Sequence, residues 1–211
     1  MLGVGSPAYA AQLGPYVGGL YGVIDHDISI GPFESFTLNA LYPALDFTPT
    51  SHSPSLDTED EGYGGLIGYR ISRHFAVEGL FMDLGEVTYR AHADGVNGEG
   101  NPVVGETTLT HDVSGIGLYG LAILPFSYRW EIYARVGVQL TSSGVDGRFN
   151  RFPIDFSRES STDYLLGAGI AMSVAEIYGL RFEYKRIFGA GNGAVLEGDL
   201  DMISLGIIVA F

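Results

Sequence analysis

Met202-Ile203-Ser204-Leu205-Gly206-Ile207-Ile208-Val209-Ala210-Phe211 ends the chain on an aromatic residue after a strand-like alternation. Ile203, Leu205, Ile207, Val209 and Phe211 share one face at period two, and that face is wholly apolar. Met202, Ser204, Gly206, Ile208 and Ala210 share the other, which is small and mixed. A strand that is greasy on one side and small or polar on the other suits the wall of a barrel standing in lipid.

Working backwards, the same alternation recurs. In residues 180–187, Phe182 and Tyr184 oppose Arg181, Glu183 and Lys185. In residues 132–141, Ile132, Ala134, Val136, Val138 and Leu140 oppose Tyr133, Arg135, Gly137, Gln139 and Thr141. Further strands are expected at 16–24, 63–71, 75–90 and 106–124, and another ending near Met172. The connections at 72–74, 125–130 and 174–179 are short, whereas those at 25–61, 91–105, 142–156 and 189–198 are long. This rhythm predicts an all-β fold, an eight-stranded antiparallel up-and-down transmembrane β-barrel over residues 11–211. Its short turns and termini face the periplasm, and its four long loops face outward. No segment sustains a period of 3.6, and glycine interrupts nearly every helical candidate.

Composition points the same way. The chain carries 31 Gly, 13 Tyr and 12 Phe in 211 residues, with only 17% charged residues. Its mean hydropathy is +0.18 despite a formal charge of −14. No run approaches the roughly 18 consecutive apolar residues of a transmembrane helix. The excess of carboxylates argues against nucleic-acid binding, which needs clustered Lys and Arg. The absence of cysteine fits either redox compartment. Ala8-Tyr9-Ala10 has the small-x-small form of a signal-peptidase site, so residues 1–10 are read as the remnant of a signal peptide.

Gly62-Tyr63-Gly64-Gly65-Leu66-Ile67-Gly68-Tyr69-Arg70 and Phe75-Ala76-Val77-Glu78-Gly79-Leu80-Phe81-Met82-Asp83-Leu84-Gly85 resemble the second and third strands of a known barrel family. Leu180-Arg181-Phe182-Glu183-Tyr184-Lys185-Arg186 resembles its seventh strand, and Tyr16-Val17-Gly18-Gly19 its first. The family is that of small outer-membrane barrels related to the outer-membrane protein A transmembrane domain, and the resemblance covers nearly all of residues 14–211. It implies residence in the outer membrane of a Gram-negative bacterium and a role for Phe211 as an assembly signal. The carboxy-terminal peptidoglycan-binding domain of the full-length namesake has no counterpart in this sequence.

Charges facing lipid cost roughly 2–4 kcal/mol at the midplane for Arg or Lys. Arg181, Glu183 and Lys185 must therefore point inward, and parity sends Glu78 and Arg135 the same way. An eight-stranded barrel is just wide enough for side chains to fill, and a buried charge needs a partner. A structural ion-pair plug is the favoured reading, and a gated ion path is the functional alternative. Gly115-Ile116-Gly117-Leu118-Tyr119-Gly120 matches the dinucleotide fingerprint in letters only, because its glycines lie within an expected strand. Phe75, Phe126, Tyr128, Trp130, Tyr178 and Phe211 cluster at the short turns and the terminus, as an interfacial girdle does. The run Asp57-Thr58-Glu59-Asp60-Glu61 lacks the spacing of a calcium loop.

No catalytic, cofactor or metal site is expected. The leading function is envelope integrity or adhesion through surface loops, with a narrow channel for ions or small solutes as the alternative. A lipid-modifying hydrolase would need Ser and His adjacent on the outer face near the headgroups; the histidines are His26, His52, His74, His92 and His111. Expected partners are outer-membrane lipid and lipopolysaccharide, the barrel-assembly machinery, and an extracellular ligand for the long loops. The protein is expected to be monomeric. Residues 33–47 are expected to pack over the barrel mouth or meet a partner, leaving 50–61 mobile.

Overall fold

Alternation along the chain becomes pairing between neighbours. The computed structural model describes residues 13–155, 158–190 and 198–211. The expected signal remnant at 1–10 and most of the connection at 189–198 lie outside the described residues. The strands are β1 (Gly14–Asp27), β2 (Phe47–Pro49), β3 (Ser53–Asp57), β4 (Glu59–Arg70), β5 (Phe75–Asn97), β6 (Pro102–Pro125), β7 (Trp130–Phe149), β8 (Phe152–Asp155), β9 (Glu159–Ser173), β10 (Tyr178–Ala190) and β11 (Gly198–Ala210). Two short helices, α1 (Ile30–Phe36) and α2 (Tyr42–Ala44), flank a π turn (Thr37–Leu41).

Eight strands form the wall. β1 pairs with β4, then β5, β6, β7, β9, β10 and β11 follow in turn, and β11 returns to β1. Every pairing is antiparallel, so the ring is up-and-down. Closure leaves no unpaired edge in lipid, where an unsatisfied backbone group costs several kcal/mol. β2 and β3 lie against the upper part of β5, and β8 lies against β7. Inside, Tyr16 lies against Gly68 and the Tyr133 hydroxyl against Gly169, positions where a Cβ would collide with the ring or hydroxyl.

Outward residues define a band. Val77, Phe81, Ile116, Leu118, Val136, Leu166, Phe182 and Leu205 are exposed apolar positions that make a lipid-facing surface. On β5 the band ends at Asp83. A bulge follows between Asp83 and Glu86, with Gly85 at φ 74°. The Asp60 carboxylate accepts the Glu86 N–H there at 2.7 Å, and a Cβ on residue 85 would meet that carboxylate at 2.8 Å.

Two expected loops are corrected. Residues 91–105 are not a loop: β5 runs to Asn97 and β6 starts at Pro102, leaving only a tight turn. Most of 142–156 is likewise strand, in β7 and β8. The cause is a reversal of polarity, since Ala91, Ala93 and Gly95 point inward while Arg90, His92 and Asp94 point outward. The expectation that 50–61 is mobile is also corrected, because 53–57 pair with β5 and 59–61 belong to β4. Residues 33–47 do pack over the mouth. Phe33 is buried with Val87, Tyr89, Ala91 and Leu109, and Leu41, Tyr42 and Phe47 with Ala93 and Phe149. Phe33 stacks on Tyr89 at 5.5 Å between ring centroids.

Candidate functional site

The barrel interior combines buried apolar side chains, Leu20, Leu66, Leu80, Met82, Leu121 and Ile208 among them, with a polar set that is electrically balanced. Among the described residues, the cations Arg70, Arg135, Arg181 and Lys185 are buried, and so are the carboxylates Glu78, Glu131, Asp163 and Glu183. Four cations balance four carboxylates in number, so the formal charge of −14 falls outside this set.

Inward parity brings the five singled-out charges together. Glu78 on β5 takes Arg135 Nη2 on one oxygen, and Arg181 Nη1 and the Tyr16 hydroxyl on the other, the latter two at 2.6 Å. Glu183 accepts the Tyr133 hydroxyl at 2.6 Å, meets Arg135 at 3.2 Å, and has Lys185 Nζ at 3.8 Å. Arg135 thus bridges two carboxylates from β5 and β10. The Arg181 guanidinium lies 4.9 Å from the Tyr133 ring centroid and 5.6 Å from that of Tyr16, so both rings wall the pair. Above, the Tyr119 hydroxyl donates to Gln139 at 2.8 Å, and Gln139 Nε2 donates to Thr141 at 3.1 Å.

Sequence reasoning did not single out the lower pair. Arg70 and Glu131 meet at 2.9 Å near the short-turn end, and Arg70 also donates to the Arg73 carbonyl at 2.7 Å, fixing the turn beside β4. Parity carried the signal, since Glu131 alternates with Tyr133 and Arg135, and Arg70 with Gly68 and Leu66. Parity placed Tyr133 on the Arg135 face, but the bonds of the Tyr16 and Tyr133 hydroxyls to the carboxylates were not legible. Two interior cavities, one at the short-turn mouth and one beside Arg181 and Glu183, each measure about 10 Å³. That is room for about one water apiece.

Above the lipid-facing band sits a different pair. His26 Nε2 bonds the Leu84 carbonyl at 3.1 Å and must be the donor, because a carbonyl only accepts. Its Nδ1, and both ring nitrogens of His111, have no hydrogen-bond partner among the described residues. Burial pushes His111 down to about 4, helped by the charge His26 would carry. His26 is also lowered by burial, partly offset by the Leu84 bond and by Asp60 and Asp25.

The other candidates fall elsewhere. Ser53, His92 and Glu106 lie opposite one another across β3, β5 and β6, all exposed on the outer face. No side-chain hydrogen bond joins them among the described residues, and His92 stands about 30 Å along the strand beyond Asp83, far from headgroup level. Gly115, Gly117 and Gly120 lie within β6, so the strand–helix turn a dinucleotide needs is missing. Phe211 follows β11 directly, 67% exposed, and its N–H donates to the Pro15 carbonyl at 3.1 Å.

A closed ring with a lipid-facing belt and a charge-filled interior defines a small transmembrane barrel. The chain belongs to the outer membrane protein beta-barrel domain family, whose model matches residues 1–211. It is a protein of the Gram-negative outer membrane. Neisserial surface protein A superposes with a TM-score of 0.52 at 12% identity, over 93% of this chain and 97% of that one. The N-terminal barrel of Pseudomonas aeruginosa OprF gives 0.49 at 14% identity, over 94% and 98%. At 12% identity the likeness to the Neisserial protein is one of fold. No curated protein matches the chain in sequence.

Proposed function

We propose that the protein is a non-conducting, non-enzymatic barrel that presents its extracellular half to partners, in envelope integrity or surface adhesion. The observation that carries this reading is the cap. Residues 30–47 pack an apolar core between the upper sheet and the barrel mouth, above an interior packed with apolar side chains and mutually paired charges. Partners would be chosen by charge. Asp25, Asp27, Glu59, Glu61, Asp199 and Asp201 cluster at the outer end of the barrel, and Arg186 neutralises only part of them, through Asp199 at 2.9 Å, Asp201 at 3.4 Å and Asp27 at 3.7 Å. A cationic surface suits this mouth better than a sulfated polyanion. The lipid-facing belt would contact outer-membrane lipid and lipopolysaccharide as a monomer. Phe211, exposed at the end of β11, would serve the barrel-assembly machinery as a signal, and its deletion should lower the assembled fraction.

The rival is a narrow ion path, favoured by the polar lining that runs from Arg70 and Glu131 through Glu78 to Asp163. Planar-bilayer recording separates the two. A sealed barrel gives no conductance steps, and reproducible steps from the purified chain would move the assignment to a channel.

A further inference from the structure

The lipid-facing belt contains a trough. Phe75, Leu124 and Ile132 stand around a groove of about 590 Å³, with Ala122, Ala134 and Ala168 along it. Register produces it, because Ala122 lies opposite Phe75 and Ala134, and Ala134 lies opposite Ala168. The row below is Leu124, Ile132 and Ile170, and the row above includes Val136 and Leu166, so methyl groups run between bulkier neighbours. With strands about 4.8 Å apart, the groove spans about 15 Å from β5 to β9. Strands tilt in such barrels, so a row across them climbs obliquely from the interface into hydrocarbon.

The lower end reaches His74, in the periplasmic turn that also holds Arg73. The next turn carries Arg129, whose guanidinium lies 5.2 Å from the Tyr128 ring centroid. Neither arginine has a carboxylate within ion-pair distance among the described residues, and both are exposed. The charge is opposite to that of the extracellular mouth. An occupant with an apolar chain and an anionic head matches both parts of this surface.

We propose that the groove holds one acyl chain of an anionic glycerophospholipid from the periplasmic leaflet, with its phosphate held by Arg73 and Arg129. Packing against the trough supplies shape selectivity, because association inside lipid comes from close contact and not from release of water. The two arginines supply head-group selectivity. This rests on the barrel's place in the outer membrane and not on the adhesive reading, so either can fail alone.

The full chain, folded in neutral detergent, should be titrated with phosphatidylglycerol and with phosphatidylethanolamine and read by native mass spectrometry. One phosphatidylglycerol per barrel should be retained, with phosphatidylethanolamine about tenfold weaker. Combining Ala134→Leu with Ala168→Leu should remove the retained lipid while heat-modifiable migration stays unchanged. Combining Arg73→Gln with Arg129→Gln should bring phosphatidylglycerol down to the phosphatidylethanolamine level. Undiminished retention by the groove-filled variant would overturn the proposal, as would equal wild-type binding of the two lipids. A cross-linkable dimer abolished by the same filling would also overturn it, by giving the groove to a second copy.

Discussion

Along the lower part of β5 the outward residues are Phe75, Val77 and Phe81, and the inward ones include Glu78. Past the bulge at Gly85 the outward residues are Glu86, Thr88, Arg90, His92 and Asp94, and the inward ones are Val87, Tyr89, Ala91 and Ala93. β6 and β7 change over in the same way, from Ile116 to Ser114 and from Leu140 to Ser142. One continuous strand is therefore inside-out below and an ordinary soluble strand above. The difference shows which force holds each half. Above the bulge, water surrounds the sheet, and burying Phe33, Tyr42 and Phe47 stabilises it through the hydrophobic effect. Below it, outward apolar residues meet lipid, so specific order comes from what packs inside, the ion pairs and hydrogen bonds together with Leu66, Leu80, Met82 and Ile208.

Removing one partner from each half should expose that division. Arg135→Met leaves Glu78 and Glu183 without their shared cation, and breaking a buried pair costs on the order of 3–5 kcal/mol. Urea unfolding in detergent should show a large fall in the barrel's midpoint. Phe33→Ala empties a site in the cap at a cost of about 3 kcal/mol. Its effect should be local: proteolysis on intact cells should reach 30–47 while the barrel keeps its heat-modifiable migration. An equal drop in barrel midpoint for both variants would mean that the halves unfold as one unit.

The lower half was legible because its rule is simple. The inward parity of Glu78, Arg135, Arg181, Glu183 and Lys185 follows from the cost of charge in lipid, and the terminal pattern from 202 to 211 shows the outward face. The upper half was harder to read. Ala91, Ala93 and Gly95 alternate correctly, but with small residues inside and polar ones outside, so a search for apolar outward faces takes them for loop. The pairing of β3 with β5 was hidden by Pro54 within the strand and the acidic run that begins at its end, and its partner lies more than thirty residues away. Which carboxylate meets which cation depends on register across the barrel, and parity cannot supply it.

The histidines test the boundary between the halves. His111 titrates near 6.5 when unfolded and is held down to about 4 when folded. The unfolded chain then binds the extra proton between these values, so stability falls as pH drops from about 6.5 toward 4 and changes little above that window. The shift corresponds to a loss of about 3 kcal/mol, acting at the neck between cap and barrel. The His26 shift has the same sign, with Asp60 and Asp25 moderating it. Cap residues should become more protease-sensitive at pH 5 than at pH 7 in wild type. His111→Leu should flatten that dependence, and an unchanged profile would show that the sensitivity arises elsewhere.

The smallest expected effect tests the comparison most directly, because it places the same charge on the same kind of face in two solvents. Leu205 lies outward in the middle of the β11 belt, and Thr110 lies outward on the upper part of β6, opposite Thr88 and Asp146. Leu205→Arg should cost roughly 2–4 kcal/mol, less if the side chain reaches an interface. Thr110→Arg faces water and an acidic neighbour, so its effect should stay within about 0.5 kcal/mol. Both are read as urea midpoints in lipid vesicles. In detergent micelles, which deform around a charge, the Leu205→Arg penalty should shrink and the Thr110→Arg value should not move. Equal costs in vesicles would place the lipid boundary above Thr110 and remove the distinction between the halves.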